Sequence, residues 1–197
     1  MSLHSPLPSG LDMNLEALFA PKDGNTYVEE DMKHCAAQQP LPPVILPKYL
    51  RFDPKSPYQP PVLRYGWALG EERLMEIVKE HFPERIRYTW VRDNYTTEPD
   101  VRGTLRDSLL CLAIGRRLGF QWDGFSFLNI GYVLNKEGKM VHAITVGSNY
   151  EGILEQPWVS RAQELFAPGD NGQWHLDRRE WYWTRDGPVF TEDDCRE

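Results

Sequence analysis

Residues 125–147 read FSFLNIGYVLNKEGKMVHAITVG, and this stretch decides the fold. Two runs rich in β-branched and aromatic residues flank the tetrapeptide NKEG at 135–138. That composition is typical of a type I turn with the glycine in a left-handed bulge position. The sequence therefore predicts a β-hairpin, and counting outward from the turn places Tyr132 directly opposite His142.

Both faces of this hairpin carry mainly apolar side chains, which is typical of strands that are covered on both sides. Three other segments repeat apolar residues at helical spacing, namely GEERLMEIVKEHFP, LRDSLLCLAIGRRL and QPWVSRAQELFAPG. We therefore expect an α+β fold. Its centre is a small, mostly antiparallel sheet built around the 125–147 hairpin and covered by helices.

The region before the second helical segment is less regular. Residues 88–91, YTWV, predict a strand, and residues 93–103 predict a polar loop. The second helix is expected to begin at Thr104, because Asp107 three residues later has the spacing of a capping box. Gly119 is expected to end that helix in a left-handed cap.

Proline divides the chain. Eleven of the 16 prolines precede residue 62, so residues 1–64 are expected to form a proline-rich arm with one short helix that begins near Thr26. The arm also holds large apolar residues. It is therefore expected to pack on the body of its own chain or on a second copy, which would give a homodimer. Residues 65–190 are expected to form a single α+β domain, and residues 191–197 an acidic tail.

Composition excludes several classes of function. The formal net charge is −7, and the arginines between residues 84 and 107 are matched by acidic residues, so general nucleic-acid binding is not expected. The apolar runs fall far short of the roughly 20 residues that span a bilayer, so no membrane association is expected. Three widely separated cysteines favour a reducing compartment, and the opening residues lack the pattern of a secretion signal, so we expect a cytoplasmic protein.

The facing pair Tyr132 and His142 is the candidate catalytic site. An imidazole that titrates near neutral pH, placed beside a phenol, has the chemistry of an acid–base pair. The alternative is a buried histidine that is hydrogen-bonded to a neighbour. On the other face of the hairpin, Asn129 and Thr145 lie among small residues, which often mark the close approach of a ligand or of another backbone.

Two further regions have residues that are typical of ligand binding. Residues 173–187, QWHLDRREWYWTRDG, contain Trp174, Trp181 and Trp183, which would form one aromatic face if a bulge occurs near residue 177. Exposed rings would suit a sugar, whereas buried rings would be core. In the loop at 92–103, Asp93 and Arg102 precede a helix and would contact a ligand or lie in a solvated turn.

The sequence contains no spacing of metal ligands and no cofactor motif, so we expect neither a metal nor a cofactor. Two hypotheses for the function remain. The first is an intracellular domain that binds a small molecule or a protein partner and carries no catalytic motif. The second is an enzyme acting on a small molecule with Tyr132 and His142 as the acid–base pair in a closed pocket.

Overall fold

The computed structural model describes residues 28–37, 50–52, 58–91, 96–119, 128–153, 155–181 and 184–185. It confirms the α+β prediction, since the described residues form five α-helices and antiparallel sheets. The helices are α1 (Glu29–Ala36), α2 (Gly70–His81), α3 (Val101–Leu105), α4 (Ser108–Leu118) and α5 (Gln156–Phe166). The strands are β1 (Tyr58–Gln59), β2 (Leu63–Ala68), β3 (Tyr88–Val91), β4 (Thr96–Pro99), β5 (Asn129–Leu134), β6 (Met140–Ser148), β7 (Gly152–Ile153), β8 (Gln173–Leu176) and β9 (Thr184–Arg185). None of the described helices is long and apolar enough to cross a membrane.

The predicted hairpin is β5 and β6, and its register is confirmed. Tyr132 pairs with His142, and Ile130 pairs with Ile144. Gly138 has φ 73°, the left-handed conformation that the turn requires. The Asn135 side chain accepts hydrogen bonds from two backbone N–H groups of the turn, which holds the turn closed. Residues 125–127 of the predicted stretch lie outside the described residues.

The main sheet has the strand order β5-β6-β2-β8, and β7 pairs with β6. Strand β2, which the sequence patterns did not indicate, lies between β6 and β8. A β-carbon on Gly66 would lie 2.1 Å from the carbonyl oxygen of Ile144, so only glycine allows β2 to approach β6 this closely. Because β2 begins at Leu63, the last two residues of the predicted arm belong to the sheet. The domain division itself stays a prediction.

The main sheet curls until its two ends meet. Val133 of β5 forms an antiparallel bridge with Asp177, which follows β8 directly. The Arg64 side chain of β2 donates a hydrogen bond from Nε to Asp177 Oδ2 over 3.2 Å. This closure fixes the position of the turn that follows Asp177.

Two apolar clusters form the core of the described residues. The larger cluster lies between one face of the sheet, with Trp67 and Ile144, and the helices α2, α4 and α5. The smaller one is built on the strand residues Leu63, Leu134, Trp174 and Leu176 and also includes Cys35 of α1 and Leu50. The sheet is therefore packed between helices, as the sequence predicts.

The region between residues 93 and 119 differs from its prediction in two ways. Residues 96–99 are strand β4, paired with β3, and not part of a loop. The helix does not begin at Thr104; α3 begins at Val101, and a separate helix, α4, begins at Ser108. The reason is that the Asp107 carboxylate accepts a hydrogen bond from the N–H of Leu109 and so caps a new helix. Gly119 ends α4 in the left-handed conformation, as predicted.

The described parts of the arm pack on the body of the same chain. Leu50 is fully buried in the smaller cluster, and Phe52 lies against the ring of Tyr150 at 4.9 Å between centroids. Strand β1 pairs with β9. The predicted helix begins at Glu29. Thr26, most of the prolines and the acidic tail at 191–197 lie outside the described residues.

Candidate functional site

Tyr132 and His142 meet as stacked rings. Their pairing across β5 and β6 places the ring centroids 4.1 Å apart, with the ring planes inclined at 39°. The imidazole is buried, with 5% of its surface exposed, whereas the tyrosine is partly exposed. The register of the hairpin therefore places the two side chains together, as predicted. The tyrosine side of this pair reaches the surface.

The start of helix α2 covers His142. The backbone N–H of Leu69 donates a hydrogen bond to the carbonyl oxygen of His142 over 3.1 Å. This contact brings Glu71, in the first turn of α2, to the imidazole, and Glu71 Oε2 lies 3.5 Å from His142 Nδ1. A carboxylate in this position orients the ring and favours a proton on Nδ1.

The charges around His142 act on its pKa in opposite directions. Burial is the largest influence and lowers the pKa of His142 below its ordinary value of 6.5. The Glu71 carboxylate acts to raise this pKa, and three guanidinium groups act to lower it, those of Arg106, Arg102 and Arg178. Since the net effect is a lowered pKa, His142 is neutral at neutral pH.

Two separate parts of the chain supply these arginines. Arg102 lies on α3 and Arg106 is its C-terminal cap residue. Arg178 follows the bridge that closes the sheet, and its guanidinium carbon lies 4.9 Å from the centroid of the Tyr132 ring, a cation–π contact. We refer to Tyr132, His142, Glu71, Arg102, Arg106 and Arg178 together as the arginine cluster.

The arginine cluster has the chemistry to bind an anion. It sets three guanidinium groups against one carboxylate, in a chain whose formal net charge is −7. Guanidinium groups match the geometry of carboxylates and phosphates because they donate two parallel hydrogen bonds. The neutral imidazole and the phenol add one acceptor and one donor beside them.

The other predicted ligand residues on the hairpin lie away from this cluster. Asn129 and Thr145 pair with each other across β5 and β6, on the face opposite to Tyr132 and His142. The Thr145 hydroxyl is buried and donates to the carbonyl oxygen of Asn129 over 3.4 Å. The Asn129 side chain is exposed. Of the two residues predicted in the 92–103 loop, Arg102 joins the cluster and Asp93 lies outside the described residues.

Two tryptophans of the predicted aromatic face, Trp174 and Trp181, pack in or against one core cluster. Trp174 is buried in the smaller core cluster, where its ring packs edge-on against Tyr65 with centroids 5.2 Å apart. Trp181 is half-buried against the same cluster. A ring buried in this way has no free face for a sugar, so Trp174 belongs to the core. Trp183 lies outside the described residues.

Glu71, Arg106 and Arg178 are members of the arginine cluster that the sequence reasoning did not place at a site. They come from α2, from the end of α3 and from the turn after β8, and none of them is close to the hairpin in sequence. No local pattern links them. The sequence feature that comes nearest to indicating one of them is the acidic first turn of α2, because the amphipathic pattern of that helix predicts that this turn is exposed.

A separate cavity of about 220 Å³ lies beside strand β2 and the turn of the hairpin, and neither Tyr132 nor His142 lines it. No group of three metal-ligating side chains in the part of the chain that the structure describes has the geometry to hold a metal ion.

Comparison of the whole chain with protein-family models, with curated protein sequences and with solved structures gave no match.

Proposed function

We propose that this chain is a ligand-binding domain that takes a small anionic molecule, carrying a carboxylate or phosphate group, at the arginine cluster. The observation that carries the proposal is the stack of Arg178, Tyr132 and His142. Arg178 lies 4.9 Å from the tyrosine ring and the tyrosine ring lies 4.1 Å from the imidazole. This stack holds a guanidinium group in a fixed orientation at the rim of a partly buried aromatic surface.

The absence of compensating charge supports an anionic ligand. Within the described residues, Arg102, Arg106 and Arg178 form no ion pair, whereas Glu71 already lies beside His142. The side chains of Arg102 and Arg106 are exposed, so a ligand can reach them from solvent. Gathering like charges without a partner costs free energy, and a bound anion would offset that cost.

The test is a titration with inorganic phosphate, phenyl phosphate and succinate, followed by backbone amide NMR, with phenol as an uncharged probe. The anions are expected to shift the amide signals of residues 132, 142 and 178. Arg178→Gln is expected to weaken binding by about tenfold or more, because a charge-assisted hydrogen bond is lost.

Arg116→Gln is the matched control, since Arg116 is an exposed arginine in the last turn of α4. It should bind the anions as the unaltered chain does. Equal weakening in both variants would mean that the anions sense only overall charge. That result, or unmoved signals at residues 132, 142 and 178, would reject the proposal.

A second candidate function is an enzyme that uses Tyr132 and His142 as an acid–base pair. It is favoured by the 3.5 Å approach of Glu71 to His142 Nδ1, because a carboxylate that orients a neutral imidazole leaves the other ring nitrogen free to take a proton. A screen with small carboxylate and phosphate-ester substrates tests it. Any turnover found should fall about 100-fold in His142→Gln, and undiminished turnover in a folded His142→Gln variant would eliminate this candidate.

We also propose the cytoplasmic location that the cysteine pattern favours. Cys35 is buried and Cys111 is partly buried. Burial raises the pKa of Cys111, so this thiol is protonated and unreactive at neutral pH. Thiol labelling of the folded protein after isolation under oxidising and reducing conditions should give the same low reactivity for both residues.

A further inference from the structure

We propose that the cavity beside strand β2 is a second binding site, for a small zwitterion of the amino-acid class that carries both an ammonium and a carboxylate group. The cavity lies between β2, the hairpin turn and the loop that precedes β8. None of Tyr132, His142 and Arg178 lines it, so this site is independent of the arginine cluster and of the function proposed for it.

The size and the floor of the cavity suit a small metabolite. Its volume of about 220 Å³ exceeds the roughly 150 Å³ that encloses a benzene molecule, and it is smaller than the roughly 300 Å³ of the smallest drug-sized sites. Trp67, Ala68 and Leu134 supply apolar lining, which would contact the side chain of the ligand. The indole N–H of Trp67 already donates to the carbonyl oxygen of Asp170, so the ring is held in place.

One group of lining residues accepts hydrogen bonds. His175 is 7% exposed, and the backbone of Gly66 acts to raise the pKa of its imidazole. Burial has the larger influence and lowers the pKa of His175 to about 4, so the ring is neutral and one of its two nitrogens is an acceptor. Asp170 adds a carboxylate to the lining and acts on the imidazole electrostatically. His175 and Asp170 therefore require a hydrogen-bond donor on the ligand. The negative charge of Asp170 favours an ammonium group as that donor.

The lining near the hairpin turn donates hydrogen bonds. The Asn135 side-chain oxygen is already used by the N–H groups of Glu137 and Lys139, so its amide NH₂ is the part available to a ligand. Lys136 is exposed, also lines the cavity and, among the described residues, forms no ion pair. These donors suit a carboxylate.

The lining contains one negative and one positive side chain, and this combination determines the class of ligand. A simple anion would be repelled by Asp170, and a simple cation would be repelled by Lys136. A molecule with both groups satisfies the two residues at once and places its side chain on the apolar floor. The neutral His175 accepts a hydrogen bond from the ammonium group without adding a competing charge.

The experiment compares L-leucine with two probes that each lack one charged group, isoamylamine and 4-methylpentanoate. Binding is followed by isothermal titration calorimetry and by the backbone amide signals of residues 134–136 and 170–175. L-Leucine is expected to bind about tenfold or more tightly than either probe, because each probe leaves one charged group of the site without a partner. L-Phenylalanine and glycine extend the series to a larger and a smaller side chain.

Variants assign the two charges. Asp170→Asn is expected to weaken binding of L-leucine and isoamylamine, and Lys136→Gln to weaken binding of L-leucine and 4-methylpentanoate, each by about tenfold. Lys139→Gln is the matched control, because Lys139 is in the same turn but pairs with Glu137 and does not line the cavity. It should bind as the unaltered chain does.

Three results would overturn the proposal: no amino acid of the series moves the named amide signals, either single-charge probe binds as tightly as L-leucine, or Asp170→Asn and Lys136→Gln both leave binding unchanged. Because the arginine cluster is not altered in any of these variants, failure here says nothing about anion binding there. Retained phosphate binding in Asp170→Asn would show directly that the two sites are separate.

Discussion

His142 and His175 are both buried strand residues, but different groups hold them. Charged side chains surround His142, with Glu71 at 3.5 Å and three arginines acting on its pKa. For His175, burial has the largest influence on the pKa, and the Gly66 backbone and Asp170 oppose it. An anion at the arginine cluster should therefore affect the titration of His142 strongly, whereas the titration of His175 in the ligand-free chain reports mainly on folding.

We predict that His175 makes folding stability depend on pH between about 6.5 and 4. Its pKa is about 4 in the folded chain and 6.5 in the reference state. As the pH falls, the unfolded chain takes up the proton first, so the stabilisation is complete above pH 6.5 and is lost on the way down to pH 4. The loss amounts to about 3 kcal/mol by the lower limit. Urea denaturation across this range measures it.

The variant His175→Gln should lack this component of the pH dependence. The carboxylates titrate in both proteins, so the difference between the two curves isolates the histidine. His34→Gln, which alters an exposed imidazole on α1, should follow the unaltered chain. If the curves for His175→Gln and the unaltered chain run parallel, the imidazole is not kept neutral by burial.

At the scale of the elements, sequence patterns predicted the helices and turns that depend on contacts between residues close in sequence. The hairpin and the helices α2 and α5 have strong periodicity and clear turn or cap residues, so their existence and the pairing of Tyr132 with His142 followed from the sequence. Strand β2 pairs with residues 143–148 and 173–176, which are distant in sequence. No turn adjacent to β2 indicates this pairing. Most of the arginine cluster could not be predicted for the same reason, because packing between residues that are distant in sequence brings its members together.

The missed strand β4 and the division of the second helix have different causes. Residues 96–99, TTEP, are exposed and polar, so they carry no hydrophobic alternation that would indicate a strand. The spacing from Thr104 to Asp107 matched a capping box, but in the structure Asp107 is itself the cap of α4 and Asp100 caps α3. A capping pattern indicates that a helix begins nearby, but not which acidic residue caps it.

We predict that Gly66→Ala strongly destabilises the sheet. The new β-carbon would lie 2.1 Å from the carbonyl oxygen of Ile144 and 2.7 Å from the α-carbon of Thr145, so β2 must move away from β6. Overpacking against backbone costs about 1–3 kcal/mol or more. Gly131→Ala, in the neighbouring strand β5, is the matched control, because its β-carbon meets only a side-chain atom of Asn129 at 3.6 Å. Its change in unfolding free energy should stay within about 1 kcal/mol, and equal losses in denaturant unfolding would contradict the argument.

At the scale of the whole molecule, the described parts of the arm and the body form one folded unit. Leu50 fills the smaller core cluster, and the Pro60 carbonyl oxygen accepts a hydrogen bond from the Tyr150 hydroxyl over 2.6 Å. Removing the arm would therefore also remove core contacts. A homodimer formed through the arm stays a prediction, and point substitutions that leave residues 50–62 in place are the suitable way to test it by size-exclusion chromatography with light scattering.

Asn149 ties the arm to the sheet by three hydrogen bonds, and we predict that Asn149→Ala costs about 2–4 kcal/mol of unfolding free energy. Its side-chain oxygen accepts from the N–H of Leu63, and its amide donates to the carbonyl oxygens of Leu50 and Pro61, all within 2.9 Å. Truncation leaves these backbone groups without partners where water has little access, and unpaired buried groups incur most of their desolvation cost. Denaturant unfolding measures the loss, and faster hydrogen exchange at the Leu63 amide should locate it. Asn129→Ala removes an exposed asparagine side chain from the sheet and should cost less than about 1 kcal/mol; if it destabilises the protein as much as Asn149→Ala does, the arm is not held by these three hydrogen bonds.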